Sequence, residues 1–525
     1  MSTDKSHPQD SPRAILQSTS IISLGTFVSR ILGFVRDILL AKFLGTGFAA
    51  DAFFVAFRIP NVFREMLAEG AANSAVVPVL SEYTHKASPD AYRRFVNILF
   101  VVAGLILILI TIGGIILAPV IVRIMAPGFI QTPEKLQLAV NLTRILFPYL
   151  ILIGLTAYSI AVHYSLRSFV SAAFGPCLLN VAFIASILIC ANRPNAVYGL
   201  AFGVLLGGLL QLAVQQITLA NRGIHFSWPR TFGDPGLAKV GRLLIPRLFG
   251  SSIYQLSILV NTLCASLAVW VGEGGISAIY YSDRIIQFPN GVFIAALASV
   301  VLPTMSGQAT KRDTLAFRGT ITFALKNVFF VMLPTMVLFL SLAYPIIEIL
   351  FKRGQFDEYS ARITAQALTF YALGLVSIGG VKILVTAFHA LQNTLTPVKI
   401  AGFCLVLNTV LNFILMIPLK IGGIALASAI SVTVNFILLF LRLHRRLPVW
   451  DRILVQYIGK VVAASLVMAL AISLFWARME TEMNWLRLAI TVIVGYAAFG
   501  LAGFLLRIEQ IIAVAEKISA WSKKA

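Results

Sequence analysis

The chain has 525 residues, 58% of them hydrophobic and 12% charged, with a mean hydropathy of +0.89. This composition excludes a soluble globular protein, because so few charges cannot cover a water-facing surface, and it requires a membrane as solvent. The formal net charge of +21 would suit a nucleic-acid partner if the cations were clustered, but they alternate by loop.

In chain order, Met1 to Gln17 is polar, and the apolar run that follows carries Arg30 and Arg36 without a small-residue cleavage site, so it reads as a retained span and not a signal peptide. Stretches such as Ile98 to Val122, Leu178 to Ala191 and Leu466 to Phe475 lack the alternation of a barrel wall and read as helices. The predicted spans are 17–44, 48–82, 92–124, 136–163, 169–191, 197–220, 240–270, 276–305, 315–350, 360–390, 397–419, 421–443, 453–476 and 484–507, about fourteen in all. The expected class is an all-α polytopic membrane protein.

With these spans, one set of loops and span ends holds Lys86, Arg93, Arg94, Arg222, Arg230, Lys239, Arg242, Lys311, Arg312, Arg318, Arg442, Arg445, Arg446, Arg452, Lys523 and Lys524. The opposite loops hold chiefly Lys135, Arg193, Lys352, Arg353, Lys420 and Arg478. The asymmetry follows the positive-inside rule with both termini in the cytoplasm, and anionic membrane lipids suffice as partners for the cations, with no nucleic acid. Cys177, Cys190, Cys264 and Cys404 lie inside apolar runs without CxxC or Cys/His spacing, which points to no metal and no redox pair.

An internal repeat is legible. Phe169 to Asn180 lies over Pro397 to Asn408 at an offset of 228, Pro60-Asn61 over Pro289-Asn290 at 229, Pro78 over Pro303 at 225, and Gly199-Leu-Ala over Gly423-Ile-Ala at 224. The first six spans thus repeat as the next six, in parallel orientation because each half has an even number of spans, and two such lobes around a central cavity make an alternating-access transporter. The expected organisation is a cytoplasmic tail at 1–16, an N-lobe at 17–221, a C-lobe at 222–446, two added spans at 447–507 and a second cytoplasmic tail at 508–525.

The chemistry-bearing residues sit in the first two spans. Arg30, Arg36 and Asp37 lie inside the first, and Asp51 and Arg58 inside the second; a lipid-facing charge costs about 2.5–3.5 kcal/mol on the lowest scale, so these side chains must face protein or water. On a helix Arg30, Gly33 and Asp37 share a face, and Gly33 admits a close neighbour. Arginine suits an anionic ligand, since its planar fork grips phosphate oxygens in two places and keeps its proton. The competing reading is structural: Arg36 pairs with Asp37, or Arg30 with Asp51, or the arginines snorkel to the interface.

Arg64 follows Pro60-Asn61, where the helix is expected to bend, with Glu65, Glu69 and Gly70 beyond it; as a bland alternative Arg64 is a boundary cation. Asp283 and Arg284 precede Gln287-Phe-Pro-Asn290, the repeat counterpart of that bend, where local pairing is the alternative. An offset of 229 carries Arg30, Arg36 and Asp37 onto Leu259, Ala265 and Ser266, so the charge cluster belongs to the first lobe alone. Lys382 and His389 are further polar residues in a span, and Phe351 to Phe356 reads as a Gly turn in an outer loop. No HExxH, GxSxG or GxxxxGK[ST] motif occurs, so no enzyme and no cofactor is expected.

Ser29-Arg-Ile-Leu-Gly-Phe-Val-Arg-Asp37, Thr46 to Pro60, Asn61 to Tyr83, Tyr280 to Pro289 and Thr396-Pro-Val-Lys399 together resemble the MurJ (MviN) lipid II flippases, of the multidrug/oligosaccharidyl-lipid/polysaccharide exporter superfamily. The resemblance runs from roughly Ile15 to Leu506. It implies a two-lobed fold of fourteen helices with a cationic cavity, and a substrate, undecaprenyl-pyrophosphate carrying a disaccharide-pentapeptide, in the bacterial inner membrane. It also implies Arg30, Arg36, Arg64 and Arg284 as substrate-binding arginines, Asp51 as a cavity acid and candidate for coupling beside Asp37, and the last two spans as a groove for the polyprenyl tail. Gly33, Glu69, Asp283 and Lys382 are secondary candidates, and cell-wall synthesis proteins are candidate partners. The chain departs from the family at Glu65, where many relatives have a second arginine, and at Ala72-Asn-Ser74, where they often read Phe-Ser-Gln.

Two other classes stay open. An antiporter for cationic drugs, of the same superfamily as an O-antigen flippase, should place acids in its cavity. A polyprenyl-phosphate enzyme should show a carboxylate or metal motif on a loop, while a scaffold has no use for intramembrane arginines.

Overall fold

Apolar runs longer than about 20 residues with every backbone donor satisfied inside the segment leave only helices in a membrane, and all regular structure among the described residues is helical. The computed structural model describes residues 12–65, 75–191, 193, 195–447, 452–479 and 484–522, without the side chains of 12–19, 245–252 and 518–522. The chain divides into two compact units, Met1–Leu263 and Cys264–Ala525.

In the first unit the helices are α1 (Pro12–Leu44), α2 (Phe48–Arg64), α3 (Val77–Lys86), α4 (Pro89–Met125), α5 (Pro133–Leu146), α6 (Tyr149–Ser165), α7 (Val170–Cys190), α8 (Ala196–Ala220) and α9 (Pro235–Ser266), the last ending just past the division. α7 packs against both α8 and α1, and α2 against α5. Several starts follow local rules: Ser88 caps α4 by accepting a hydrogen bond from the Ala91 amide, with Pro89 in the first turn.

In the second unit follow α10 (Ala268–Val271), α11 (Gly275–Pro289), α12 (Ala295–Thr310), α13 (Thr314–Phe351), α14 (Glu358–Ala372), α15 (Leu375–Ala390), α16 (Leu395–Leu419), α17 (Ile421–His444), α18 (Arg452–Arg478), α19 (Asn484–Leu505) and α20 (Glu509–Ser522). α16 and α17 form a tight pair like α7 and α8, while α18 and α19 pack on each other and on α13. After Pro289 the helix passes through a π-turn, Asn290–Ile294, before α12, because proline supplies no amide to the ladder and the backbone re-registers around it. Pro60 is accommodated inside α2.

Ten helical segments are long and apolar enough to cross a membrane among the described residues, eleven if α14 and α15, bent by 47°, are one span. They match eleven of the predicted spans, with α5 and α6 forming one and α11 with α12 another. The other three, 17–44, 48–82 and 240–270, each include residues or side chains outside the description, so the count of fourteen is not established by this criterion.

The Phe351 to Phe356 segment is a turn with Gly354 at φ 62°, in the left-handed region. Phe351 and Phe356 are buried against Tyr281 of α11, with ring centroids 5.3 and 5.5 Å away. Lys352 bonds Glu348 at 2.9 Å and Glu358 at 2.6 Å, and those carboxylates raise its proton affinity. Asp357 caps α14 by accepting from the Ser360 amide, which holds its carboxyl below the usual range.

Candidate functional site

The charged residues of α1 meet different surroundings. Arg36 is 7% exposed and Asp37 2%. Arg36 donates through Nε and Nη2 to Asp37 Oδ1 at 3.0 and 2.8 Å, and through Nη1 to Asn180 Oδ1 of α7 at 3.0 Å, while its guanidinium lies 5.3 Å from the centre of the Phe183 ring. The amide nitrogen of Asn180 returns to α1, donating to the Ser29 carbonyl at 3.0 Å. The approach does not depend on glycine at Gly33, since a Cβ there would meet Asn180 Nδ2 at 3.7 Å, an ordinary contact distance. The structural pairing of Arg36 with Asp37 is therefore realised, with Asn180 as a partner that the sequence offered only as a repeat match.

Arg30 is exposed, and no described residue pairs or hydrogen-bonds with it. Asp51 does not pair with it. Asp51 stands in the first turn of α2, where a carboxylate complements the helix dipole, and is 2% exposed. It accepts from Lys135 Nζ of α5 at 2.9 Å. Lys135 is itself only 8% exposed, with its ammonium 4.7 Å from the Phe129 ring centre and 5.9 Å from that of Phe48. Sequence reading counted Lys135 among the cations of the outer loops and did not single it out. The available signal was energetic: an acid within a span needs a cation, and Lys135 opens the helix of a neighbouring span.

At the far end of α2, Arg58 donates to Thr262 of α9 at 2.6 Å. Arg64 is partly buried, donating through Nε to Asn61 Oδ1 at 3.0 Å, with Nη2 3.6 Å from Glu65. Glu65 also accepts from Gln255. The residue that departs from the family's second arginine thus offsets part of the Arg64 charge. Glu69, Gly70 and Ala72 to Ser74 lie outside the described residues.

In the second unit Arg284, on α11, is half-buried. It donates to the Tyr280 hydroxyl at 3.0 Å, with its guanidinium 4.8 Å from the centre of that ring. Asp283 accepts from Gln287 one helical turn on. Each has a partner within its own helix, as the alternative reading anticipated. Lys382, on α15, is exposed. Among the described residues no three His, Cys, Asp or Glu are gathered as for a metal ion.

Chemically, the buried acids Asp37 and Asp51 are neutralised by Arg36 and Lys135, while Arg30 is exposed and has no described partner. These charges sit on helices of a polytopic all-helical protein with ten or eleven apolar spans among the described residues.

The family described as lipid II flippase MurJ matches residues 40–494. A protein of Burkholderia cenocepacia named lipid II flippase MurJ is 34% identical over 468 residues, covering 87% of this chain and 90% of its own. One of Buchnera aphidicola (Acyrthosiphon pisum), named probable lipid II flippase MurJ, is 35% identical over 82% of this chain and 84% of its own. A solved lipid II flippase MurJ in an inward closed conformation superposes with a TM-score of 0.80 at 25% identity, covering 93% of this chain and 98% of that one. An inward-facing multidrug resistance transporter of the MATE family, in the MOP superfamily, superposes at 0.68 with 16% identity over 82% of this chain and 98% of that one, a likeness of fold alone. The chain belongs to the lipid II flippase MurJ family.

Proposed function

We propose that this chain is a lipid II flippase, carrying undecaprenyl-pyrophosphate with its disaccharide-pentapeptide from the cytoplasmic to the outer leaflet of the bacterial inner membrane by alternating access, with both termini in the cytoplasm. Family membership supports the substrate class. The observation that carries the assignment of the site is Arg30: a cation within a long apolar helix, exposed and without a described protein partner, needs water or an anion beside it. Pyrophosphate is the anion a planar fork grips best.

In this reading Arg30, Arg64 and Arg284 are substrate-binding arginines, each assigned from the family motif that contains it. Arg36 joins them when its fork exchanges Asn180 for the ligand, and Asp37 and Asp51 tune the field around them. A cationic drug is disfavoured, because Asp37 and Asp51 already hold cations.

The test is complementation of a flippase-depleted strain. Arg30→Ala and Arg284→Ala should each abolish growth while the protein inserts and accumulates, with lipid II retained on the cytoplasmic face. Normal growth of both variants at wild-type expression would defeat the arginine assignment.

A further inference from the structure

We propose that the second unit binds the headgroup of an anionic phospholipid in a pocket between the start of α16 and the end of α17, apart from the arginines assigned to the transported substrate. The pocket has a volume of about 420 Å³. Lys399 of α16 and Arg442 and Arg445 of α17 line it, and no acid does. All three cations are exposed, and no described carboxylate pairs with them. Lys399 closes the Thr396-Pro-Val-Lys399 motif, which the pyrophosphate site leaves unused.

Three unpaired cations in one pocket repel one another, an arrangement that an anion stabilises. The rest of the lining selects the kind of anion. Ile400, Leu438 and Leu441 add apolar surface to the same lining, on two membrane-spanning helices. A hydrated phosphate ion gains nothing from that surface, whereas a phospholipid lays its acyl chains on it and its phosphate among the cations. Basic pockets between spanning helices at the cytoplasmic surface are recognised anionic-lipid sites on physical grounds, since the leaflet supplies the ligand at high local concentration. Only the choice of leaflet rests on the orientation proposed above; the chemistry of the ligand does not.

The experiment titrates phosphatidylglycerol into the detergent-solubilised full-length protein and follows its melting temperature. A saturable rise is expected, absent with phosphatidylcholine or inorganic phosphate at equal concentration. Lys399→Ala, Arg442→Ala and Arg445→Ala should each weaken the titration midpoint about fivefold, and roughly a hundredfold together, from the attraction of each cation near an anionic surface. A control triple variant, Arg230→Ala with Arg242→Ala and Lys311→Ala, removes as many exposed cations from outside the pocket and should keep the wild-type midpoint. An unchanged midpoint in the pocket variants, an equal loss in the control or an equal rise with inorganic phosphate each overturns the proposal. Where the triple variant does not accumulate, the three single variants carry the same test. The readout is lipid binding without flipping, so a failure here leaves the transport reading standing, and a failure of Arg30→Ala to impair growth leaves this one standing.

Discussion

Arg30 and Arg36 lie six residues apart on α1, yet one fork is filled by protein and the other is open. The geometry sharpens a test of Arg30. A structural ion-pair role would let lysine replace it, and removing its acid partner would restore function. Here Asp37 is engaged by Arg36 and Asp51 by Lys135, so Arg30→Ala combined with Asp37→Ala or Asp51→Ala should remain inactive. Arg30→Lys should lose much activity, because a point charge cannot replace the bidentate fork. Complementation and accessibility of lipid II at the outer face report both, and rescue by either acid-neutralising partner would reassign Arg30 as structural. The Asp51–Lys135 pair makes the opposite prediction for stability. Breaking a buried pair on one side leaves an uncompensated charge at a cost of about 3–5 kcal/mol, while replacing both partners is often near neutral. Asp51→Asn and Lys135→Met should each lower stability in detergent unfolding, and the double variant should recover most of it; a double variant as unstable as the sum of the singles would show that the two charges do not depend on each other.

At the scale of elements, the closest approaches are set by glycines whose importance composition does not reveal. α16 and α17 are joined through Lys420 alone, at φ 51°, and the return brings Gly423 against the preceding helix. A Cβ on Gly423 would stand 2.1 Å from the Leu415 carbonyl oxygen and 2.3 Å from its carbon, which are backbone atoms that cannot rotate away. Gly459 of α18 has nothing within 4 Å of that position. Gly423→Ala should therefore destabilise by about 1–3 kcal/mol or more, and Gly459→Ala should be neutral or stabilising by up to about 1 kcal/mol. Melting of the two purified variants decides it, and equal behaviour would contradict the packing of this hairpin. Both residues sit in apolar helical runs, so periodicity could not distinguish them. The prolines were partly legible: past Pro289 the helix leaves regular α geometry in a π-turn, since a missing amide is a local fact that sequence carries, whereas α2 runs on through Pro60, where a bend was expected.

For the whole molecule, α18 and α19 have no counterpart in the repeat, and they pack on α13 while leaving apolar side chains outward, Leu470 at 63% and Leu501 at 65% exposure. If this pair carries the polyprenyl tail, Leu470→Glu and Leu501→Glu should weaken lipid II binding more than they weaken folding, because each places a charge where a hydrocarbon chain would lie. Undiminished binding by a chain ending near residue 448 would remove that role from the pair.

The sequence by itself determined the solvent, the helical class and eleven spans to within a few residues, because hydropathy over 20 residues is a property of the chain alone. It also singled out the intramembrane arginines, since their cost in lipid is independent of the fold. Only the tertiary structure decided their partners. Asn180 and its repeat counterpart Asn408 are identical in sequence, yet Asn180 bridges α7 to Arg36 and Ser29 of α1, while Asn408 donates to Ser428 of α17 at 3.3 Å. Lys135 looked like a loop cation and became the buried partner of Asp51. Which charge is cancelled and which is left for a ligand depends on distances of about 3 Å between helices far apart in the chain, and no one-dimensional pattern encodes those.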